Sequence, residues 1–156
     1  MSAEKSTAYM PLTRAELRHH IRTRIRHLIQ DDSSVAIDAF AIYSLADPRD
    51  VRNVRYVGQT REPTRRLLQH INTARLWLPD VLPWWVKSPE LRPLYEWIRY
   101  LHRDGYRLPA MIITQWVDCA ATARIAERQR IQECLQREMD ILNVEKERLR
   151  GQRVLL

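Results

Sequence analysis

Two apolar, partly β-branched segments separated by a polar loop constrain the fold of this chain most. Residues 35–45 (VAIDAFAIYSL) and 54–58 (VRYVG) have the composition of buried strands. Pro48 lies in the polar segment between them and indicates a turn. We therefore expect the two segments to pair as a hairpin. A third β-branched run, LPAMIITQWV over residues 108–117, predicts a further strand.

Segments with helical periodicity flank these strands. Thr13 and Glu16 form a T-x-x-E capping box at the start of the first one, and Pro63 suits the first turn of the second. The pattern predicts helices over about residues 13–30, 63–75, 91–103 and 119–140. The combination predicts an α+β fold, in which a small three-stranded antiparallel sheet is flanked by helices and preceded by a basic N-terminal helix.

The length of 156 residues is that of one domain. We expect an N-terminal extension that carries the basic amphipathic helix, a main folded domain and a charged tail, over residues 1–34, 35–145 and 146–156. The first ten residues lack the apolar run of a signal peptide, and no stretch of about 18 apolar residues predicts a membrane span. The two cysteines, Cys119 and Cys134, have no zinc-ligand spacing. These features predict a cytoplasmic protein.

The net charge of +7 favours a polyanionic partner such as nucleic acid. The arginines of the first helix are either a solvated surface or a contact arm for the DNA backbone. The basic residues that we expect to follow phosphates are Arg22, Arg26, Arg61, Arg65 and Arg75. An unpaired base could stack on Trp77, Trp84 or Trp85, although core packing is the commoner role of tryptophan.

Two tyrosines lie in the predicted hairpin, Tyr43 near the end of one strand and Tyr56 in the next. The hairpin could bring the two phenols together, although tyrosine is also a common packing residue in strands. On the helix that follows, Arg66 and His70 are four residues apart and share a face. This pair is typical either of a site for an anion such as phosphate or of a solvated polar face.

One acidic residue interrupts the apolar stripe of the last helix. Glu127 lies between Ala123 and Ile131, each four residues away. A carboxylate in this position is unfavourable unless it is paired or bound to a cation. The two interpretations are therefore a metal-binding carboxylate and a buried salt bridge.

At these residues the sequence resembles the GIY-YIG nuclease family. The letters AIY at residues 41–43 stand where the family has GIY, and the letters YVG at residues 56–58 stand where it has YIG. Arg66 and His70 follow at the intervals of the family's arginine and histidine. The main departure is Ala41, which replaces the first glycine.

The resemblance continues to the end of the main domain. AERQRI over residues 126–131 is similar to the family's A-E-x-x-x-I signature, with Glu127 at the position of the metal-binding glutamate. Asn143 corresponds to the motif asparagine. The resemblance covers about residues 38–145, so residues 35–145 are expected to form a GIY-YIG nuclease-like domain.

The resemblance implies a metal-dependent endonuclease that hydrolyses DNA phosphodiester bonds. Glu127 would bind Mg²⁺ or Mn²⁺, and Arg66 would hold the phosphate. Tyr43 would act as the general base and Tyr56 would orient the water, although these two roles could be reversed. His70 would accept a proton from Tyr43 or hydrogen-bond to it. Gly58 and Asn143 would support the site.

The implied partner is DNA, with a homodimer or a second protein supplying specificity, in a bacterial, phage or mobile-element setting. Three alternatives remain. The first is a GIY-YIG-like domain that binds nucleic acid without cutting it, and the second is an RNA nuclease. The third is a protein-interaction module that uses the segment rich in tryptophan and proline over residues 76–90.

Overall fold

The computed structural model describes residues 9–33, 39–80 and 83–143. Its helices are α1 (Arg14–Leu28), α2 (Pro63–Thr73), α3 (Arg92–Arg103) and α4 (Ala120–Gln136). Its strands are β1 (Ile29–Asp31), β2 (Phe40–Asp47), β3 (Asp50–Thr60) and β4 (Ala110–Val117), and a short 3-10 helix spans Trp84–Lys87. The predicted α+β class is confirmed.

The four strands form one mixed sheet in the order β1-β4-β2-β3. β2 pairs antiparallel with β3, as the predicted hairpin requires, and also pairs antiparallel with β4. The prediction of a three-stranded antiparallel sheet was wrong in one respect, because β1 adds a fourth strand that runs parallel to β4. The sequence pattern places residues 29 and 30 at the end of the first helix, but they belong to β1, whose strand conformation depends on pairing with the distant β4, where Ile29 lies opposite Met111.

The β2–β3 hairpin is longer than predicted. The segment over residues 46–53 was expected to be a loop, but most of it extends the two strands until Asp47 lies opposite Asp50. The Asp47 carboxylate accepts the backbone N–H of Arg49 at 2.9 Å and also accepts two bonds from its guanidinium. These bonds close a tight turn at Pro48 and Arg49. Residues 35–38 of the predicted strand and the predicted tail over 146–156 lie outside the described residues.

The sheet separates two apolar clusters. One cluster contains Tyr43 together with side chains from α1, α2 and α3. The other contains Ile42 and Val57 together with side chains from α4. β2 is therefore covered on both faces and is buried from Ala41 to Asp47. A strand held on both faces provides a rigid support for the side chains that it carries.

α1 begins at the predicted capping box and packs onto the first apolar cluster. Thr13 Oγ1 accepts the Glu16 N–H at 3.1 Å, and Glu16 Oε1 accepts the Thr13 N–H at 3.0 Å. The helix buries Leu17, Ile21 and Leu28 and exposes its arginines. Within the described parts of the chain, no helix is both long enough and apolar enough to cross a membrane.

Candidate active site

Tyr43 lies at the centre of the candidate site because β2 is an interior strand and its side chain faces α2. The residue is completely buried, and its partner on β3 is Gly58. A methyl group on Gly58 would collide with the Tyr43 ring. Glycine at this position therefore provides the space in which the phenol lies against the backbone of β3.

Arg66 and His70 lie one turn apart on α2, and both contact the Tyr43 phenol. Tyr43 Oη is 2.8 Å from His70 Nε2, and Arg66 Nε donates to Tyr43 Oη at 3.4 Å. The Tyr56 ring packs edge-on against the same imidazole, with ring centroids 5.6 Å apart. The structure thus brings four of the predicted residues into one contact cluster, which we call the Tyr43 cluster.

Burial determines the protonation states of the Tyr43 cluster. It raises the pKa of Tyr43 and of Tyr56 above that of a free phenol, while the Arg66 guanidinium acts in the opposite direction. Burial, with a smaller contribution from Arg66, lowers the pKa of His70 to about 3. At neutral pH the phenols are therefore protonated and the imidazole is neutral, so His70 Nε2 can accept a hydrogen bond from the Tyr43 hydroxyl.

The guanidinium of Arg66 is half-buried and has neutral partners. Besides Tyr43, it donates from Nη1 to Gln69 Oε1 at 3.2 Å. Among the residues that the structure describes, no carboxylate forms an ion pair with Arg66. A half-buried cation whose hydrogen-bond partners are neutral favours binding of an anion.

Glu127 lies on α4, which packs on the face of the sheet opposite the Tyr43 cluster. The residue is half-buried between the buried residues Ala123 and Ile131, and Gln59 Nε2 donates to its Oε2 at 2.9 Å. Its charge raises the pKa of both phenols. The carboxylate therefore lies within electrostatic reach of Tyr43 and Tyr56.

No protein-family model, curated protein or solved structure matches this chain. The resemblance to the GIY-YIG nucleases therefore rests on the motif residues themselves. Within the described ranges, no group of three or more His, Cys, Asp or Glu side chains is placed to hold a metal ion. A cation at this site would depend on Glu127 and on oxygen ligands from water and substrate.

Tyr95 and Gln59 belong to the site but were not predicted. Tyr95, on α3, places its Oη 3.4 Å from His70 Nδ1, and Gln59 holds the Glu127 carboxylate. The Trp85 ring packs 5.6 Å from that of Tyr95, and its Nε1 donates to the carbonyl of Thr73 at 2.7 Å. The sequence could have indicated Tyr95, because it lies on the largely apolar face of α3 and a buried phenol hydroxyl needs a hydrogen-bond partner.

The predicted phosphate-contacting arginines lie outside the Tyr43 cluster. Arg22 and Arg26 are exposed on α1, Arg61 is exposed in the turn before α2, and Arg65 is exposed in the first turn of α2. Arg75 follows α2 in a left-handed conformation, with φ of 57°. The tryptophans differ from one another, because Trp85 is 1% exposed whereas Trp84 is 65% exposed and Trp77 is half-buried.

Asn143 supports the site by completing the edge of β3. Its Oδ1 accepts the Val57 N–H at 3.0 Å and its Nδ2 donates to the Val57 carbonyl at 2.8 Å. The neighbouring Leu142 N–H donates to the carbonyl of Arg55 at 2.6 Å. Asn143 and Leu142 therefore form the hydrogen bonds that a neighbouring strand would form with Val57 and Arg55. These bonds hold the backbone on both sides of Tyr56 in place.

Replacing Asn143 by alanine should destabilise the fold. The change leaves two buried backbone groups of Val57 without partners, which costs about 1–3 kcal/mol. Urea unfolding of wild type and Asn143→Ala measures the difference. The exposed Asn53→Ala variant is the control and should unfold at the wild-type concentration. Equal midpoints for all three proteins would contradict the assigned role.

Acid should destabilise the protein through two buried histidines. Burial, reinforced by the neighbouring His20, lowers the pKa of His102 to about 4, below the unfolded value of about 6.5. His70 behaves in the same way. As the pH falls, these histidines become protonated in the unfolded chain at a higher pH than in the folded chain. Protonation of either histidine therefore does not lower the free energy of unfolding above about pH 6.5. Between about pH 6.5 and the folded pKa, each histidine lowers the free energy of unfolding by up to about 1.4 kcal/mol for each unit by which the pH falls.

The His102→Phe variant tests this pH dependence. Neither His102 ring nitrogen has a hydrogen-bond partner among the described residues, so phenylalanine should be accommodated. Its thermal midpoint should fall less than that of wild type between about pH 7 and pH 5. The exposed His27→Gln variant should follow the wild-type curve. Parallel curves for wild type and His102→Phe would exclude this histidine as a cause.

Proposed function

We propose that this chain is a metal-dependent DNA endonuclease of the GIY-YIG type. The observation that supports the proposal most is the contact cluster of Tyr43, Tyr56, Arg66 and His70, with the Glu127 carboxylate within electrostatic reach of its phenols. Packing alone does not require two phenols, a neutral imidazole and a guanidinium with neutral partners to meet at one place. These groups are suited to binding a phosphodiester and moving a proton beside it.

Tyr43 is the residue that we assign as general base. Its raised pKa disfavours a free phenolate, so the phenol must lose its own proton as it accepts one from the attacking water. His70 Nε2, 2.8 Å away and neutral, takes that proton and becomes an imidazolium. The bound phosphate offsets the charge of Arg66, which is the smaller of the two causes that lower the pKa of His70, and adds a negative charge that favours the imidazolium.

Arg66 and Tyr56 position the substrate in this mechanism. The half-buried guanidinium holds a non-bridging phosphate oxygen, whose negative charge grows as the water oxygen bonds to phosphorus. The Tyr56 hydroxyl orients the attacking water. The bond between phosphorus and the 3′ oxygen then breaks, and the leaving oxygen takes a proton from solvent.

Glu127 would hold the divalent cation, Mg²⁺ or Mn²⁺. Its carboxylate is a hard oxygen ligand near the phenols, and the Gln59 amide fixes its orientation. A single carboxylate fits magnesium, which keeps several of its waters and binds proteins through one or two carboxylates. When bound, the ion supplies positive charge that stabilises the phosphate and the leaving 3′ oxygen.

Plasmid nicking tests the proposed function. Purified protein is incubated with supercoiled plasmid, branched DNA, single-stranded DNA and RNA, in Mg²⁺ or in EDTA. We expect DNA strand breaks in Mg²⁺ alone, and loss of activity in Tyr43→Phe but not in the control Tyr100→Phe, which changes an exposed phenol. DNA binding without cleavage would favour a silent domain, and preferential RNA cleavage would favour an RNA nuclease.

A further inference from the structure

A groove of about 520 Å³ lies between α1 and α2, away from the Tyr43 cluster. Its floor is apolar and includes Leu17, Ile21 and Leu68, and arginines and tryptophans form its walls. The walls include Arg14, Arg18, Arg22, Arg75, Trp77 and Trp84. Among the described residues, no acidic side chain lines the groove. A groove with this lining is suited to a ligand that has both flat apolar surfaces and negative charge.

The two tryptophans give the groove an aromatic wall. Trp84 is 65% exposed although the adjacent Trp85 is 1% exposed, so the local fold buries one indole and leaves the other in solvent. The guanidinium carbons of Arg14 and Arg75 lie 5.1 Å and 5.4 Å from the Trp77 ring centroid. The exposed indole of Trp84 can stack with a base, and the cations beside Trp77 can hold a phosphate.

We propose that this groove binds an unpaired segment of the DNA substrate, with a base stacked on Trp84 and phosphates held by Arg14, Arg18 and Arg22. A paired duplex hides the faces of its bases in its own stack, whereas an unpaired strand offers them to an exposed indole. The assignment rests on the proposed nuclease function. The groove assignment narrows the proposed substrate class to DNA that contains a junction between a double-stranded and a single-stranded segment.

The position of α2 supports this substrate class. Its Arg66 and His70 face the Tyr43 cluster, whereas Leu68 lines the groove on the other side of the helix. The exposed Arg65 and Gln69 lie on the surface of α2 between the side that faces the Tyr43 cluster and the side that lines the groove. A strand that passes over this surface crosses about 10–12 Å, one helix diameter, between the cluster and the groove. Cleavage would then fall close to the end of the unpaired segment.

Binding in EDTA tests the groove separately from cleavage. The probes are a fluorescein-labelled oligothymidylate of about 12 nucleotides and a blunt duplex without unpaired bases. Trp84→Ala should weaken oligothymidylate binding at least about five-fold and leave duplex binding unchanged. Tyr100→Ala is the matched control, since this aromatic side chain is 61% exposed on α3 and lies outside the groove. Equal affinities of Trp84→Ala and wild type for the oligonucleotide would overturn the proposal.

The salt dependence of binding tests the phosphate contacts. Arg18→Ala should reduce the slope of log K against log salt for the oligothymidylate by about 0.7, the value for one phosphate contact on a single strand. Arg52→Ala, which removes an 89%-exposed guanidinium at the hairpin turn, should leave the slope unchanged. An unchanged slope in Arg18→Ala would contradict the contact. Tighter binding of oligouridylate than of oligothymidylate would contradict the assignment to DNA.

The nicking assay separates the two proposals. If Trp84→Ala loses oligothymidylate binding while wild type cuts no DNA, the groove assignment stands and the nuclease proposal fails. If wild type cuts branched DNA and Trp84→Ala binds and cuts it equally well, the nuclease proposal stands and the groove assignment fails.

Discussion

Replacing Glu127 by glutamine should abolish magnesium-dependent cleavage of DNA, lowering the rate by at least about 1000-fold. Glutamine keeps the size of the side chain and an oxygen that can accept the Gln59 amide, but it removes the charge that would hold a divalent cation. Single-turnover plasmid nicking in Mg²⁺ measures the loss. DNA affinity in EDTA should change less than about two-fold, because Glu127 is not a phosphate-binding group.

The variant Glu133→Gln, on the same helix, is the control that separates loss of a metal ligand from a change in net charge. Glu133 lies further along α4, is exposed and pairs with Arg130 at 3.2 Å. Glu133→Gln removes an equal charge from the protein and should cleave at the wild-type rate. Full activity of Glu127→Gln would exclude this carboxylate as the metal ligand. Equal loss in both variants would point to an effect of net charge instead.

Replacing Arg66 by alanine should lower kcat about 100- to 1000-fold, the loss expected for one donor to a developing negative charge. Its guanidinium is the cationic group that contacts Tyr43, and the phosphate would be held beside it. Arg66→Lys should recover only part of the rate, since an ammonium lacks the planar fork that binds two oxygens. Single-turnover rates at saturating DNA separate this effect from weakened binding.

The neighbouring Arg65 provides the matched control. It is exposed, pairs with Glu62 at 3.3 Å and lies outside the Tyr43 cluster. Arg65→Ala should therefore change KM, through a lost backbone contact, and leave kcat within about two-fold. A wild-type kcat in Arg66→Ala would remove this residue from the mechanism.

Much of the fold could be predicted because its signals are local. The strand composition around Tyr43 and Tyr56, the Thr13 capping box and the spacing of Arg66 and His70 depend on residues close together in the chain. β1 could not be found in this way. Ile29 continues the apolar spacing of α1 and is followed by the polar Gln30 and Asp31, and only pairing with β4 makes these three residues a strand.

The difference between local signals and contacts distant in sequence also explains which site residues were not predicted. Gln59 and Tyr95 acquire their roles from partners far away in sequence, Glu127 and His70. The apolar face of α3 accounts for Tyr95 as a packing residue before any hydrogen bond is considered. The hairpin was predicted too short because polar residues after Ala46 indicate a loop, whereas backbone pairing there outweighs the side-chain pattern.

The bond between Asn143 and Val57 has a consequence for the association of one chain with another. β3 is the outermost strand on its side of the sheet, and residues 142–143 occupy part of its open edge. Displacing them would expose backbone donors and acceptors in extended conformation, which a strand of a second molecule can pair with. The residue that braces Tyr56 therefore also acts as a barrier against intermolecular β-pairing.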